Sequence, residues 1–331
     1  MISGRSSVVE RLVANEKVVG SSPIARSIIN LLEKNYITKL FQKILENKDL
    51  RTFKNKISYY ILFRLVRNFL NSEIKIKIYN FYLLLSIKKS STSHFLLKKC
   101  DFSEIREINF IKKISKDYKI TFIDGGCNYG FFSFFTASLS DENDVIAIDA
   151  SEKTCKEFRQ NLSINNLQNI TLLNKVLSEK SDKQIHFYNG LNDWESSAIN
   201  SGFKNQSVSL INSITIDKIL DNKILNKKKL IIKLDLEGYE IQAIYGSIES
   251  IRKLKPLIII ELSKYINHNI SYNYKSLENF LINENYQIYN LDGKITNMDE
   301  IKKLLDSLDE KHQTIGNFYL VNKSSDMLKY I

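Results

Sequence analysis

FIDGGCNYGFFS, residues 122–133, joins an apolar run to a glycine-containing turn and then to a second apolar stretch, with one acid, Asp124, at the junction. Strand, acid, turn and helix in that order make the geometry of a nucleotide site at the edge of a parallel sheet. Gly126 lets backbone approach a ligand, Gly130 lets helix and strand pack closely, and unpaired amides at the helix start face the site. A dinucleotide enzyme needs G-x-G-x-x-G to cradle a pyrophosphate. Here Asn128 stands in place of a glycine and Asp124 precedes the turn. A carboxylate repels phosphate and suits a cationic ligand.

Outward from this turn, short apolar segments alternate with helical stretches. Strands are expected at 119–124, 144–149, 169–173, 230–235, 257–262, 286–291 and 317–322, and helices at 130–140, 151–165, 238–251 and 274–284. Such alternation predicts βαβ units and a mostly parallel sheet, an α/β fold of the Rossmann-like kind. QIHFYNG (184–190) and SVSLINSITI (207–216) predict a hairpin-like insertion between the third and fourth core strands.

Two further blocks carry chemistry. Asp149 ends the second strand, 25 residues after Asp124, where an acid accepts both ribose hydroxyls of an adenosine ligand. The other role open to it is capping the helix that follows, for which Ser151 is an equal candidate. In KKLIIKLDLEGYEIQAIYGS (228–247), Lys233, Asp235 and Glu237 fall at alternate positions and so on one side of the strand as it reaches the carboxyl edge of the sheet. S-adenosylmethionine (SAM), with its ammonium and sulfonium, fits an acid-led turn. Beside its methyl group these carboxylates can act as general base, divalent-metal ligand or electrostatic partner of the sulfonium. A surface strand end stitched by a Lys-Asp pair is the bland alternative.

Together the blocks resemble the FkbM family of SAM-dependent methyltransferases. Ile123, Asp124, Gly126, Asn128 and Gly130 meet its first motif, with Gly125 and Cys127 as departures. Ile232, Lys233, Asp235, Glu237, Gly238 and Glu240 meet its later hallmark, and ITIDKIL (214–220) and PLIIIEL (256–262) resemble two further segments. The likeness runs from about Ser93 to about Lys323. Where the family often has E-P after its second strand, this chain has Asp149 and Ala150. The resemblance implies a class I methyltransferase sheet of seven strands with the last one antiparallel, SAM as cofactor, and O-methylation of a hydroxyl on a sugar, glycan or related metabolite. On that reading Asp124, Gly126, Asn128, Gly130 and Asp149 hold the cofactor, and Asp235, then Glu237, serve as base beside Lys233. His94, His186 and His268 are alternative bases without a motif to place them. Whether the two acids hold a divalent cation stays open. Trp194 and Tyr188 offer rings for a sugar, and Ser196 and Ser197 resemble a serine-containing family segment.

The flanks read differently. The chain carries 48 Lys+Arg against 37 Asp+Glu, and the first hundred residues hold 19 and 6 of these. All the positive excess therefore lies there. Residues 1–27 resemble the conceptual translation of a transfer RNA gene and are expected to be a non-native or disordered leader, although no Met follows Met1 before Met298. Residues 28–99 read as a basic helical extension, with Ile61, Leu62, Leu65, Phe69 and Leu70 at helical spacing. They either cap the catalytic domain, expected at 100–331, or lie on anionic lipid. The three cysteines show no metal spacing, and no apolar run reaches 18 residues. A cytoplasmic protein is expected, with peripheral contact at the inner membrane face open to it and no nucleic-acid partner. The competing reading is a catalytically inactive Rossmann-like protein docking on a membrane through its basic helices.

Overall fold

The computed structural model describes residues 74–85, 104–190, 196–199, 207–221, 228–263, 273–308 and 314–331. The leader at 1–27, the helical pattern around Ile61 to Leu70, Cys100, His94, His268 and Trp194 lie outside them. Among the described residues the order starts with β1 (Ile74–Ile78), β2 (Phe81–Leu85), α1 (Ile105–Ile114), β3 (Ile120–Gly125), α2 (Phe131–Ser138), β4 (Asp144–Asp149) and α3 (Glu152–Ser163). Next come β5 (Ile170–Asn174), β6 (Val176–Leu177), β7 (Gln184–Asn189), β8 (Ser207–Ile214), α4 (Ile216–Leu220) and β9 (Lys229–Leu234). The C-terminal part holds α5 (Glu240–Tyr245), α6 (Ile248–Leu254), β10 (Leu257–Ser263), α7 (Tyr274–Asn283), β11 (Tyr286–Tyr289), α8 (Met298–Asp306), β12 (Thr314–Asn322) and a 3-10 turn, Asp326–Tyr330.

Seven strands form one sheet in the order β11-β12-β10-β9-β3-β4-β5, in which β12 alone runs antiparallel to its neighbours. These are the seven strands expected from the sequence, each displaced by a few residues at most. The central strands are mostly apolar because both faces are covered, with Asp124, Lys233 and Glu261 near their carboxyl ends. Phe122, Val145, Ile231 and Ile259 enter one core, while Ile123, Ile146, Ile232 and Ile260 enter the other. The predicted insertion is present as β7 paired antiparallel with β8, and β8 adds β6 in parallel. Chain order reverses direction across the sheet between β3 and β9, so the crevice for a ligand opens where Asp124 and Asp235 leave their strands.

The structure differs from the sequence reading in three places. Residues 74–85, expected to be helical, form an antiparallel hairpin. IKIKI alternates with period two, which buries Ile76, Ile78, Phe81 and Leu83 and exposes Lys75, Lys77 and Tyr82. This hairpin packs on the rings of Phe131 and Phe134. Side chains at the end of α3 also satisfy its backbone: Asn165 Oδ1 accepts from Tyr82 N–H and Asn161 Oδ1 from Leu84 N–H, both at 2.7 Å. The same Asn161 donates to the Tyr129 carbonyl at 3.1 Å. A boundary between an extension and a catalytic domain at residue 100 therefore falls inside a packed unit.

The helix expected at 238–251 is two helices, α5 and α6. Gly246 lies so close to Ser178 that an added Cβ would sit 2.0 Å from its carbonyl oxygen. Asp217 accepts the amides of Glu249 and Ser250, restarting the helix as a separate element. Helices α1 and α8 carry no sequence expectation; they bury Ile108, Ile111 and Ile114, and Ile301 and Leu305. Cys127 and Cys155 are buried free thiols. Among the described residues no helix is long and apolar enough to cross a membrane.

Candidate active site

The turn after β3 is shaped by contacts within the protein. Gly126 has φ +75°, and a Cβ there would lie 1.8 Å from the Asp235 carbonyl oxygen, so this turn is pressed against the end of β9. The Gly126 and Cys127 amides donate to Ile148 O at 2.9 and 3.1 Å. Asn128 adopts φ +49°, and its Oδ1 accepts from Tyr129 N–H. Gly130 lets α2 begin against the Phe134 and Phe158 rings, which a Cβ would meet at 2.4 and 2.6 Å. The sequence reading gave Gly126 to ligand approach; the geometry adds a demand from the protein's own backbone.

Asp124 is 1% exposed and accepts from Ser133 Oγ at 2.6 Å. Burial pushes its carboxyl up, and Lys233 opposes that. Asp149 is half-buried and uses both oxygens: Oδ1 accepts from Ser151 N–H at 2.8 Å and Oδ2 from Asn128 N–H at 3.0 Å. The cap of α3 is Ser151, whose Oγ accepts from Thr154 N–H at 3.3 Å. Asp149 thus ties the glycine turn to the start of α3.

At the end of β9, the buried Lys233 ammonium lies 2.7 Å from Asp235 Oδ2, 4.0 Å from Glu104 Oε1 and 4.9 Å from the centre of the Phe132 ring. Burial alone would lower the Lys233 pKa; Asp235, Glu104 and Asp124 override it and hold the ammonium charged. Asp235 is likewise pushed up by burial but held below the usual carboxylate range by Lys233. Glu237, at φ +53°, is driven well above that range by burial and then by Asp235 and Glu240.

Two acids here escaped the sequence reading. Glu261 of β10 hydrogen-bonds Asp235 and is pushed well up by burial and by Asp235 and Glu237. The carboxyl oxygens of Asp235, Glu237 and Glu261 come within 4.8 Å of one another. Lys233 supplies the positive charge that Asp235 faces. The only sequence signal for Glu261 was its place in PLIIIEL; Glu104, just before α1, had none.

Glu240, 1% exposed, accepts the Leu236 and Gly238 amides at 2.8 and 3.1 Å and so fixes the turn that carries Glu237. Burial pushes its carboxyl up to about 7. An unfolded Glu ionises near pH 4.3, so between about 4.3 and 7 the folded chain holds a proton the unfolded chain has lost. Stability from this group therefore falls as pH rises, by about 3 kcal/mol in all. Glu240→Gln keeps an acceptor oxygen and has no charge to bury. Its melting temperature should match wild type at pH 4.5 and exceed it by several degrees at pH 8; a constant gap at both would refute the assignment.

The insertion reaches this turn. Ser197 Oγ donates to the Glu237 carbonyl at 2.9 Å, and Ser197 pairs with Tyr188 through two backbone hydrogen bonds. Ser196 Oγ accepts from Gly190 N–H at 3.0 Å. His186 lies exposed on β7.

The strand order, with β12 alone antiparallel and the glycine turn at the crossover, defines a Rossmann-like class I methyltransferase fold. Residues 124–288, just under half of the chain, match the family model of the methyltransferase FkbM domain. The match is narrower than the likeness read from about Ser93 to Lys323. Methyltransferase FkbM from Methylobacillus flagellatus KT is 16% identical over 68% of this chain, with a TM-score of 0.38; the aligned part is about half, 52%, of that structure. An rRNA methylase from Streptococcus thermophilus is 14% identical over 65% of this chain and 93% of its own, TM-score 0.35. M. jannaschii TYW2 in complex with AdoMet is 11% identical over 76% and 84%, TM-score 0.34. No curated protein matches the chain.

Proposed function

We propose that the chain transfers the methyl group of SAM to a hydroxyl oxygen of a sugar, glycan or related metabolite. The observation that carries this is the placement of Asp235 2.7 Å from the buried Lys233 ammonium, which holds its carboxyl below the usual carboxylate range, next to the glycine turn at the crossover of the sheet. Asp149, at the end of β4 beside the glycine turn, takes the adenosine end by accepting from the ribose hydroxyls. The acceptor oxygen attacks the methyl carbon in line with the departing sulfur, the C–S bond breaks to leave S-adenosylhomocysteine, and the hydroxyl proton passes to Asp235. Glu237, driven toward its protonated form, is the poorer acceptor of that proton. Tyr188 and Ser197 link the insertion to the Glu237 turn, so acceptor choice belongs to that insertion. No observation favours an inactive membrane-docking protein.

Calorimetric titration of SAM, S-adenosylhomocysteine and NAD into the wild-type chain tests this reading. The two SAM-type ligands should saturate one site and NAD should not bind. Asp149→Ala should weaken both by at least tenfold, since it removes the ribose acceptor and two loop hydrogen bonds. Binding of NAD instead would overturn the proposal.

A further inference from the structure

Glu104 stands at the N-cap position of α1 yet makes no side-chain capping bond. Its carboxylate is instead turned toward Lys233, at a distance of 4.0 Å, too long for a hydrogen bond, while Asp235 takes the close contact at 2.7 Å. Around this one ammonium stand three carboxylates, Asp124, Asp235 and Glu104. One cation cannot balance three acids in a region shielded from water, and the shortfall favours a second positive charge there. Lys233 and Asp124 are sealed in, at 3% side-chain and 1% residue exposure, whereas the Glu104 side chain keeps 32%. Glu104 is also close enough to the glycine turn to raise the pKa of Tyr129. It lies outside the matched segment 124–288.

We propose that Glu104 receives the ammonium group of the amino-acid half of the cofactor, releasing a proton as that ion pair forms. The inference rests on the SAM reading above. Glu104-COOH gives its proton to water or buffer, its O–H bond breaking as the base gains the proton, and the carboxylate accepts hydrogen bonds from the arriving ammonium. The groups facing Glu104 set how tightly it holds that proton. Burial pushes the carboxyl up; Lys233 of β9 pulls it down; Asp235 of β9, Glu107 of α1 and Asp124 of β3 push it up again, to about 7 in all. Glu107 is itself engaged by Asn317 Nδ2 at 2.6 Å.

Two probes separate the halves of the cofactor. S-adenosylhomocysteine carries the ammonium, and 5′-methylthioadenosine keeps the adenosine and thioether without it. Both are titrated calorimetrically at pH 6 and pH 8.5, in buffers of different ionisation enthalpy, into wild type and Glu104→Gln. S-adenosylhomocysteine should release about one proton from wild type at pH 6 and almost none at pH 8.5. Glu104→Gln should bind it about tenfold or more weakly with no proton release, while 5′-methylthioadenosine binds both chains equally. Equal S-adenosylhomocysteine affinity in the two chains would overturn the inference, as would equal weakening of both ligands, which marks a structural role. Failure of both ligands to bind wild type would overturn the cofactor reading itself.

Discussion

Methyl transfer by an Asp235→Asn variant is expected to fall by about 10²- to 10⁴-fold, the usual loss when a positioned proton acceptor is removed. The substitution keeps the shape of the side chain and removes its charge. Asp235 makes the shortest contact of the Lys233 ammonium, so the variant also leaves a buried cation with more distant partners, Glu104 and Asp124. That costs stability, and breaking such a pair outright costs about 3–5 kcal/mol. Measurement therefore has to be made per folded molecule. Binding of S-adenosylhomocysteine supplies the control, because the turn and Asp149 are untouched and affinity should stay within about threefold. The assay is transfer of labelled methyl from SAM to whichever members of a sugar and glycan panel the wild-type chain modifies. A variant with wild-type turnover would eliminate Asp235 as the base and leave Glu237 as the residue to test.

Gly126→Ala should be the most damaging single methyl group that can be added near the site. Its Cβ would have to occupy space 1.8 Å from the Asp235 carbonyl, and backbone atoms cannot swing aside as a side-chain tip can. Left-handed φ adds about 1 kcal/mol of strain for any residue with a Cβ. Gly316 isolates that smaller contribution, since it has φ +93° with nothing within 4 Å of a built Cβ. Gly316→Ala should thus lower stability by about 1 kcal/mol and Gly126→Ala by roughly 3 kcal/mol or more, a drop in melting temperature on the order of 5 °C. Similar losses in the two variants would mean that the turn can move off β9 freely.

What could be read beforehand followed from local pattern. Runs such as TFID, VIAID and LIIKLD are mostly apolar over a strand's length and end in an acid, so both the sheet and the acids at its carboxyl edge were visible in one dimension. The hairpin was not, because Ile and Lys also fill the neighbouring stretch and its period-two segment spans only five residues. The break at Gly246 arises from pressure by Ser178, 68 positions away in sequence. Glu104 and Glu261 join the site only when α1 and β10 are laid beside β9, which no spacing rule foretells. The motif also located Asp124 without revealing that Ser133 and burial enclose it.

One amide group gives the glycine turn a dependence on chain far upstream. Asn161 holds the Leu84 amide with its oxygen and the Tyr129 carbonyl with its nitrogen, so the hairpin and the turn share a single two-sided support. A chain started at residue 100 would lose the hairpin, uncover the apolar faces of Phe131 and Phe134, and leave the Asn161 oxygen without its donor. The packed unit that supports the glycine turn consequently reaches back to the hairpin at Ile74, well before the recognisable motifs begin.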